Sequence, residues 1–195
     1  MSRALPRKTG AGRLASSIVA MLLAILASNA FGAEPLPLYV AVKQKNLPAV
    51  RALLATGAAI DAVDDDGRTA LHLALYDHQI RMAQVLLEHG AKVNTRDKDG
   101  RTPLIIALWL SLDPALVRML IDKGSKADVA DGQGATPLHY AAAWGSASLA
   151  TLLIDHGAHV NARTTTGETP LQAAQKYGQQ AMVQLLIGAG ASPSR

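Results

Sequence analysis

A six-residue phrase returns along this chain at nearly fixed spacing. It reads Thr69-Ala70-Leu71-His72-Leu73-Ala74 and then Thr102-Pro103-Leu104-Ile105-Ile106-Ala107. It returns as Thr136-Pro137-Leu138-His139-Tyr140-Ala141 and Thr169-Pro170-Leu171-Gln172-Ala173-Ala174. The glycines ahead of these phrases, Gly67, Gly100, Gly134 and Gly167, step by 33, 34 and 33 residues. A period near 33 predicts a solenoid, in which one small unit is stacked on copies of itself.

A second glycine series keeps the same phase. Gly57, Gly90, Gly124, Gly157 and Gly190 each follow an apolar doublet, such as Leu86-Leu87 or Leu153-Ile154. Every unit therefore carries a helix start and a helix stop at matching places. Thr caps a first helix, and Pro103, Pro137 and Pro170 sit where a missing N–H costs nothing. Leu71, Leu104, Leu138 and Leu171 are expected to point into the stack. Ala74, Ala107, Ala141 and Ala174 leave room for paired helices to approach. A second helix carries the doublet and ends at glycine, which tolerates a left-handed backbone.

The T-P-L-H-x-A phrase, with the later L-L-x-x-G-A phrase, resembles the ankyrin-repeat family over about residues 34–195. The resemblance implies an all-α ankyrin-repeat solenoid of about five helix-turn-helix repeats with β-hairpin-like finger loops. The units run approximately 34–66, 67–99, 100–133, 134–166 and 167–195. Leu36-Pro37-Leu38-Tyr39-Val40-Ala41 lacks the Thr-Pro start and reads as a degenerate N-terminal cap. The third unit has one extra residue, near Ser111-Leu112-Asp113-Pro114, which predicts a rearranged turn between its helices.

Residues 1–30 read as a secretory signal peptide and residues 31–195 as the repeat domain. Arg3, Arg7, Lys8 and Arg13 precede an apolar run from Ile18 to Ala27, too short to cross a bilayer. Small residues at Ser28 and Ala30 favour cleavage after Ala30; cleavage after Ala33, or retention as a membrane anchor, are the alternatives. The chain has 19 basic and 15 acidic residues. Four of the basic residues lie in the leader, so the mature chain is balanced and shows no basic patch for nucleic acid. The absence of cysteine excludes disulfides, thiolate metal sites and a cysteine nucleophile. These features fit a periplasmic or secreted protein, monomeric and without stable membrane insertion after cleavage.

Catalytic chemistry finds little support. The resemblance implies that His72 and His139 tie neighbouring loops together by hydrogen bonds. His89 and His156 fall near helix C-termini, where positive charge is favoured. Asp61, Asp64, Asp65 and Asp66 precede Gly67 but miss the calcium-loop pattern, since Leu73 stands where a carboxylate is needed. They are expected to form an acidic, solvated finger tip. No metal, cofactor or catalytic residue is expected.

Aromatic residues carry the functional expectation. Tyr76, Trp109, Trp144 and Tyr177 fall near the end of the first helix, one per repeat, and make up four of only seven aromatics. The resemblance places them on one variable stripe facing a concave groove, outside the Leu/Ala set that builds the stack. Buried aromatics are frequent interface anchors. Finger residues Arg68, Arg101 and Glu168 are expected to form the polar rim. The expected function is binding of another protein, possible roles including protection of a periplasmic enzyme. An uncharacterised enzyme or a membrane-anchored adaptor are the rival readings.

Overall fold

The computed structural model describes residues 38–192. The leader, both cleavage alternatives, Leu36 and Pro37 lie outside the described residues, as do residues 193–195. Ten α-helices follow in order among the described residues: α1 Leu38–Lys43, α2 Leu47–Ala55, α3 Ala70–Tyr76, α4 Ile80–Glu88, α5 Pro103–Trp109, α6 Pro114–Asp122, α7 Pro137–Trp144, α8 Ala147–Asp155, α9 Pro170–Lys176 and α10 Gln180–Gly188. They pair as five hairpins. The first helix of each pair packs on the first helices of its neighbours, and the second helices touch more lightly.

The recurrent phrase produces this packing directly. Leu71, Leu104, Leu138 and Leu171 are buried, and so are Ala74, Ala107, Ala141 and Ala174. Small alanines let neighbouring first helices approach, while each leucine fills the gap between units. A continuous core results, running through the stack with no sheet among the described residues and no cysteine to form a disulfide. The second helices end at glycine as expected. At α6, Gly124 N–H donates to Ile121 O and Ser125 N–H to Leu120 O at 3.1 Å, a left-handed closure with φ +89° at Gly124.

Between the helices of a pair, one residue in each unit takes a left-handed backbone. It is Lys45, His78, Ser111, Gly145 and Gly178 in turn. In the third unit Leu112 follows this residue and is buried, and Asp113 is inserted behind it. Asp113 Oδ1 accepts the Ala115 N–H at 2.8 Å, and Pro114 opens α6. The expected rearranged turn is therefore a one-residue insertion that supplies its own N-cap.

Asparagines in the loops between a second helix and the following finger lock successive units. Asn94 Nδ2 donates to Gly124 O at 2.9 Å while its Oδ1 accepts the Lys126 N–H at 2.9 Å. Asn161 repeats both bonds, to Gly190 O and from Ser192 N–H. Each clamp satisfies a helix-end carbonyl of the next repeat.

Candidate functional site: the fingers and the concave groove

Four loops project between the units, and one side chain organises each. Asp64 Oδ1 accepts the N–H groups of Asp66 and Arg68 at 3.0 and 2.9 Å. Asp97 does the same for Asp99 and Arg101, and Asp131 for Gln133 and Ala135. In the last loop Thr164 takes over, its hydroxyl accepting the Glu168 N–H at 3.0 Å. Glycine three residues on completes each turn. At Gly134, φ is +76° and an added Cβ would lie 2.8 Å from Thr165 N, so both conformation and space demand glycine.

Backbone bonds tie these fingers to one another. Lys98 N–H donates to Asp66 O, Gly132 N–H to Asp99 O and Thr165 N–H to Gln133 O, at 2.7–2.9 Å. The fingers thus form one connected surface. The acidic tip expected around Asp61 to Asp66 is more committed than a solvated cluster. Asp61 accepts the Lys92 N–H, Asp64 holds the turn, and Asp66 pairs with Arg68 and Lys98; only Asp65 stands exposed without such a bond.

The phrase histidines link fingers to helices. His72 Nδ1 accepts from the Thr69 N–H at 3.2 Å and meets the Thr69 hydroxyl at 2.8 Å. The ring proton therefore sits on Nε2, which donates to Thr95 O at 3.1 Å and Arg101 O at 3.3 Å. His139 repeats the arrangement with Thr136 and Glu168 O. Burial pushes both imidazoles below the ordinary histidine value, so both are held neutral. Gln172 replaces histidine in the last unit and keeps the cap, its Oε1 accepting the Thr169 N–H at 2.9 Å. His89 and His156 cap α4 and α8, each ring lying 2.8 Å from a carbonyl of its own helix. No group of three or more His, Cys, Asp or Glu poised for a metal ion occurs among the described residues.

The four aromatics do not lie in a single register. Tyr76 and Trp109 stand seven residues after the capping Thr, Trp144 and Tyr177 eight. One residue is about a 100° rotation on a helix, and the exposures follow it. Tyr76 is half-buried and Trp109 is 38% exposed, whereas Trp144 and Tyr177 reach 56% and 59%. Tyr76 meets Trp109 edge-to-face, with centroids 6.4 Å apart. The contact joins two of the four aromatics and leaves Trp109 outside the buried leucines and alanines of the stack. Trp109, Trp144 and Tyr177 do share one groove of about 450 Å³, with Tyr140, Glu168 and Lys176 also on its walls. A depression of about 580 Å³ beside Lys123 and the loop from Gly90 to Thr95 is larger but has no aromatic lining.

The rim residues differ in how they are held. Arg68 is bound to Asp64 and Asp66. Arg101 lies over the Trp109 ring, 4.4 Å from its centroid. Glu168 is 3.5 Å from Lys176, and both line the groove.

Sequence reasoning missed Tyr140, Asp97 and Asp131. Tyr76 donates to Asp97 Oδ2 and Tyr140 to Asp131 Oδ2, both at 2.5 Å. Burial and the carboxylate partner push the Tyr76 hydroxyl up to about 12, and Tyr140 is raised by the same causes. Two tyrosines thus pin α3 and α7 to two finger-forming carboxylates, Tyr140 from the wall of the groove. A recurring Asp three residues before the finger glycine was the available signal.

A family model described as ankyrin repeats matches the chain in three overlapping stretches, residues 17–97, 38–131 and 111–195. No curated protein matches it.

Proposed function

The chain belongs to the ankyrin-repeat family, whose repeats mark a protein–protein interaction module, and we propose that it binds its partner protein in the concave groove, with the fingers as rim. One observation carries this reading. Five large apolar side chains stand exposed among the described residues; Val63 and Ile187 lie outside the groove, whereas Trp109, Trp144 and Tyr177 are gathered in it. Exposed aromatics gathered in a concavity are surplus to the stack and suited to anchoring a partner.

The basic leader with its short apolar run supports export, and the proposed compartment is the periplasm or the extracellular space. Among the described residues no helix is long and apolar enough to cross a membrane. In that compartment the proposed role is to hold, and thereby stabilise or protect, a resident protein. Ankyrin repeats are in general non-enzymatic binding modules, and catalysis is not part of the proposal.

Affinity capture from a periplasmic extract tests the binding face. Wild-type protein is expected to retain a partner that a Trp144→Ala/Tyr177→Ala double variant releases. Equal retention by both proteins moves the interface elsewhere. Fractionation and N-terminal sequencing test export, with a mature start at Phe31 expected and an intact, membrane-bound N-terminus against it.

A further inference from the structure

Arg68 and Arg101 occupy the same place in successive fingers, one residue after Gly67 and Gly100. Their guanidinium groups are held in different ways. Arg68 Nε donates to Asp64 Oδ2 at 3.0 Å, and its Nη2 lies 3.0 Å from that oxygen and 2.6 Å from Asp66 Oδ2. The Nε–Nη2 edge, one of the edges that suit a carboxylate two-on-two, is therefore used up inside its own finger.

At the next finger the matching oxygen is already taken. Asp97 Oδ2 accepts the Tyr76 hydroxyl. Arg101 is instead laid over the Trp109 ring and makes its polar contacts through Nη1 alone, 3.1 Å to Asp99 Oδ2 and 3.5 Å to the Tyr76 oxygen. Its Nε and Nη2 bond to none of the described residues. Neither is a buried orphan, since Ser125 Oγ is the single such side-chain atom among the described residues. So a tyrosine hydroxyl, by occupying the finger carboxylate, frees an arginine fork and the Trp109 face holds that fork beside the groove.

We infer that Arg101 is a preorganised receptor for a carboxylate carried by the partner, an Asp or Glu side chain flanked by an apolar residue that covers Trp144 and Tyr177. This inference rests on the groove being the binding face and adds the chemistry of what docks there. Stacking fixes the guanidinium plane, so little side-chain freedom is lost when a carboxylate pairs with it. Within its own finger Arg96, Lys98 and Arg101 outnumber Asp97 and Asp99, and Asp66 of the finger before is paired with Arg68 and Lys98. Asp97 and Asp131 are each already covered by two backbone N–H groups and a tyrosine hydroxyl.

The test uses a phage-displayed random peptide library selected on the full chain, followed by affinity measurements with a synthetic consensus peptide. Recovered peptides are expected to share an Asp or Glu next to an apolar residue. Arg101→Gln is expected to weaken the consensus peptide about tenfold or more, as is a Glu-to-Gln change in the peptide, and the two losses are expected not to add. Arg101→Lys is expected to restore little, because a point charge lacks the fork. Arg118→Gln, an exposed arginine on α6 outside the groove and the fingers, is expected to change nothing. Peptides without an acidic residue, or full binding by Arg101→Gln while Trp144→Ala weakens it, overturn the carboxylate receptor and leave the groove reading standing. Displacement of the peptide by inorganic phosphate that itself binds through Arg101 assigns the fork to a phosphoryl group and also overturns it. Recovery of no peptide, or binding insensitive to both Trp144→Ala and Tyr177→Ala, overturns the groove reading and this inference together.

Discussion

The Tyr76 hydroxyl donates to Asp97 Oδ2 at 2.5 Å, while the other oxygen of that carboxylate holds the finger turn through the N–H groups of Asp99 and Arg101. One carboxylate therefore couples α3 to the finger that follows its repeat. Tyr76→Phe removes the donor and leaves a buried carboxylate oxygen short of a partner. The expected loss is about 1.5–3 kcal/mol, the range for hydrogen bonds to charged groups. Urea unfolding measures it. Tyr140→Phe, which strips Asp131 in the same manner, is expected to give a loss of similar size. A value near zero for both would mean that solvent replaces these hydroxyls freely.

Position in the stack sets the cost of a cavity. Leu138 is fully buried between units on both sides, and Leu138→Ala is expected to cost on the order of 2–5 kcal/mol. Leu38, at the first described helix, is 5% exposed and has a described repeat on one side only. Leu38→Ala is expected to cost less. Denaturant melts of the two variants rank them, and equal losses would count against a terminal cap.

Two buried histidines predict an acid sensitivity with a defined sign. His72 and His139 have folded-state pKa values below the unfolded value of 6.5. The unfolded chain then binds more protons below that pH, so their contribution is complete above about 6.5 and is lost as pH falls below it. Each adds a slope of at most about 1.4 kcal/mol per pH unit. Asp64, held below its ordinary 3.8 by bonds from Arg68 and the backbone against the opposing effect of burial, acts only at still lower pH. His139→Gln is expected to flatten the slope between pH 6.5 and 4 while keeping the cap, as Gln172 does in the last unit. An unchanged slope would show that the imidazole protonates without cost in the folded protein.

Glycines of the two series are expected to answer differently to alanine. Gly124 needs only its left-handed backbone, since an added Cβ would meet nothing within 4 Å. Gly124→Ala is expected to cost about 1–2 kcal/mol. Gly134→Ala adds a Cβ 2.8 Å from Thr165 N and 3.0 Å from Thr164 Cα, and it is expected to cost more and to loosen the contact between the last two fingers. Thermal melts with amide exchange at Thr165 check both parts.

Much of the architecture was legible because every repeat writes its boundaries in the same letters. Thr at the cap, proline behind it, and glycine at the left-handed closure each answer a local backbone requirement, so spacing alone located the helices. The inserted residue at Asp113 was legible for the same reason, since Asp-Pro is itself a helix start. The site was harder to read. Tyr140 fills the one free slot of the phrase, and its partner Asp131 lies on the finger before it, a pairing that only the folded stack brings about. The aromatics looked like one stripe because each repeat carries one. A single-residue offset turns Trp144 and Tyr177 outward, while Trp109 is drawn against Tyr76 and Arg101. Nothing local in the sequence marks that Arg68 spends its Nε–Nη2 edge on its own finger while Arg101 meets its finger through Nη1 alone, because the difference arises from a tyrosine in the preceding helix.

The central claim is that exposed groove aromatics anchor a protein partner, and affinity against stability is the direct measurement. Trp144→Ala and Tyr177→Ala are the informative variants, because Trp109 also packs within the fold. Calorimetric titration of the captured partner is expected to show each variant weakened by about 2 kcal/mol, roughly 30-fold. Melting temperatures are expected to stay within about 2 °C of wild type, since both side chains are more than half exposed. Unchanged affinity in both folded variants would contradict the account and place the partner on another face of the stack.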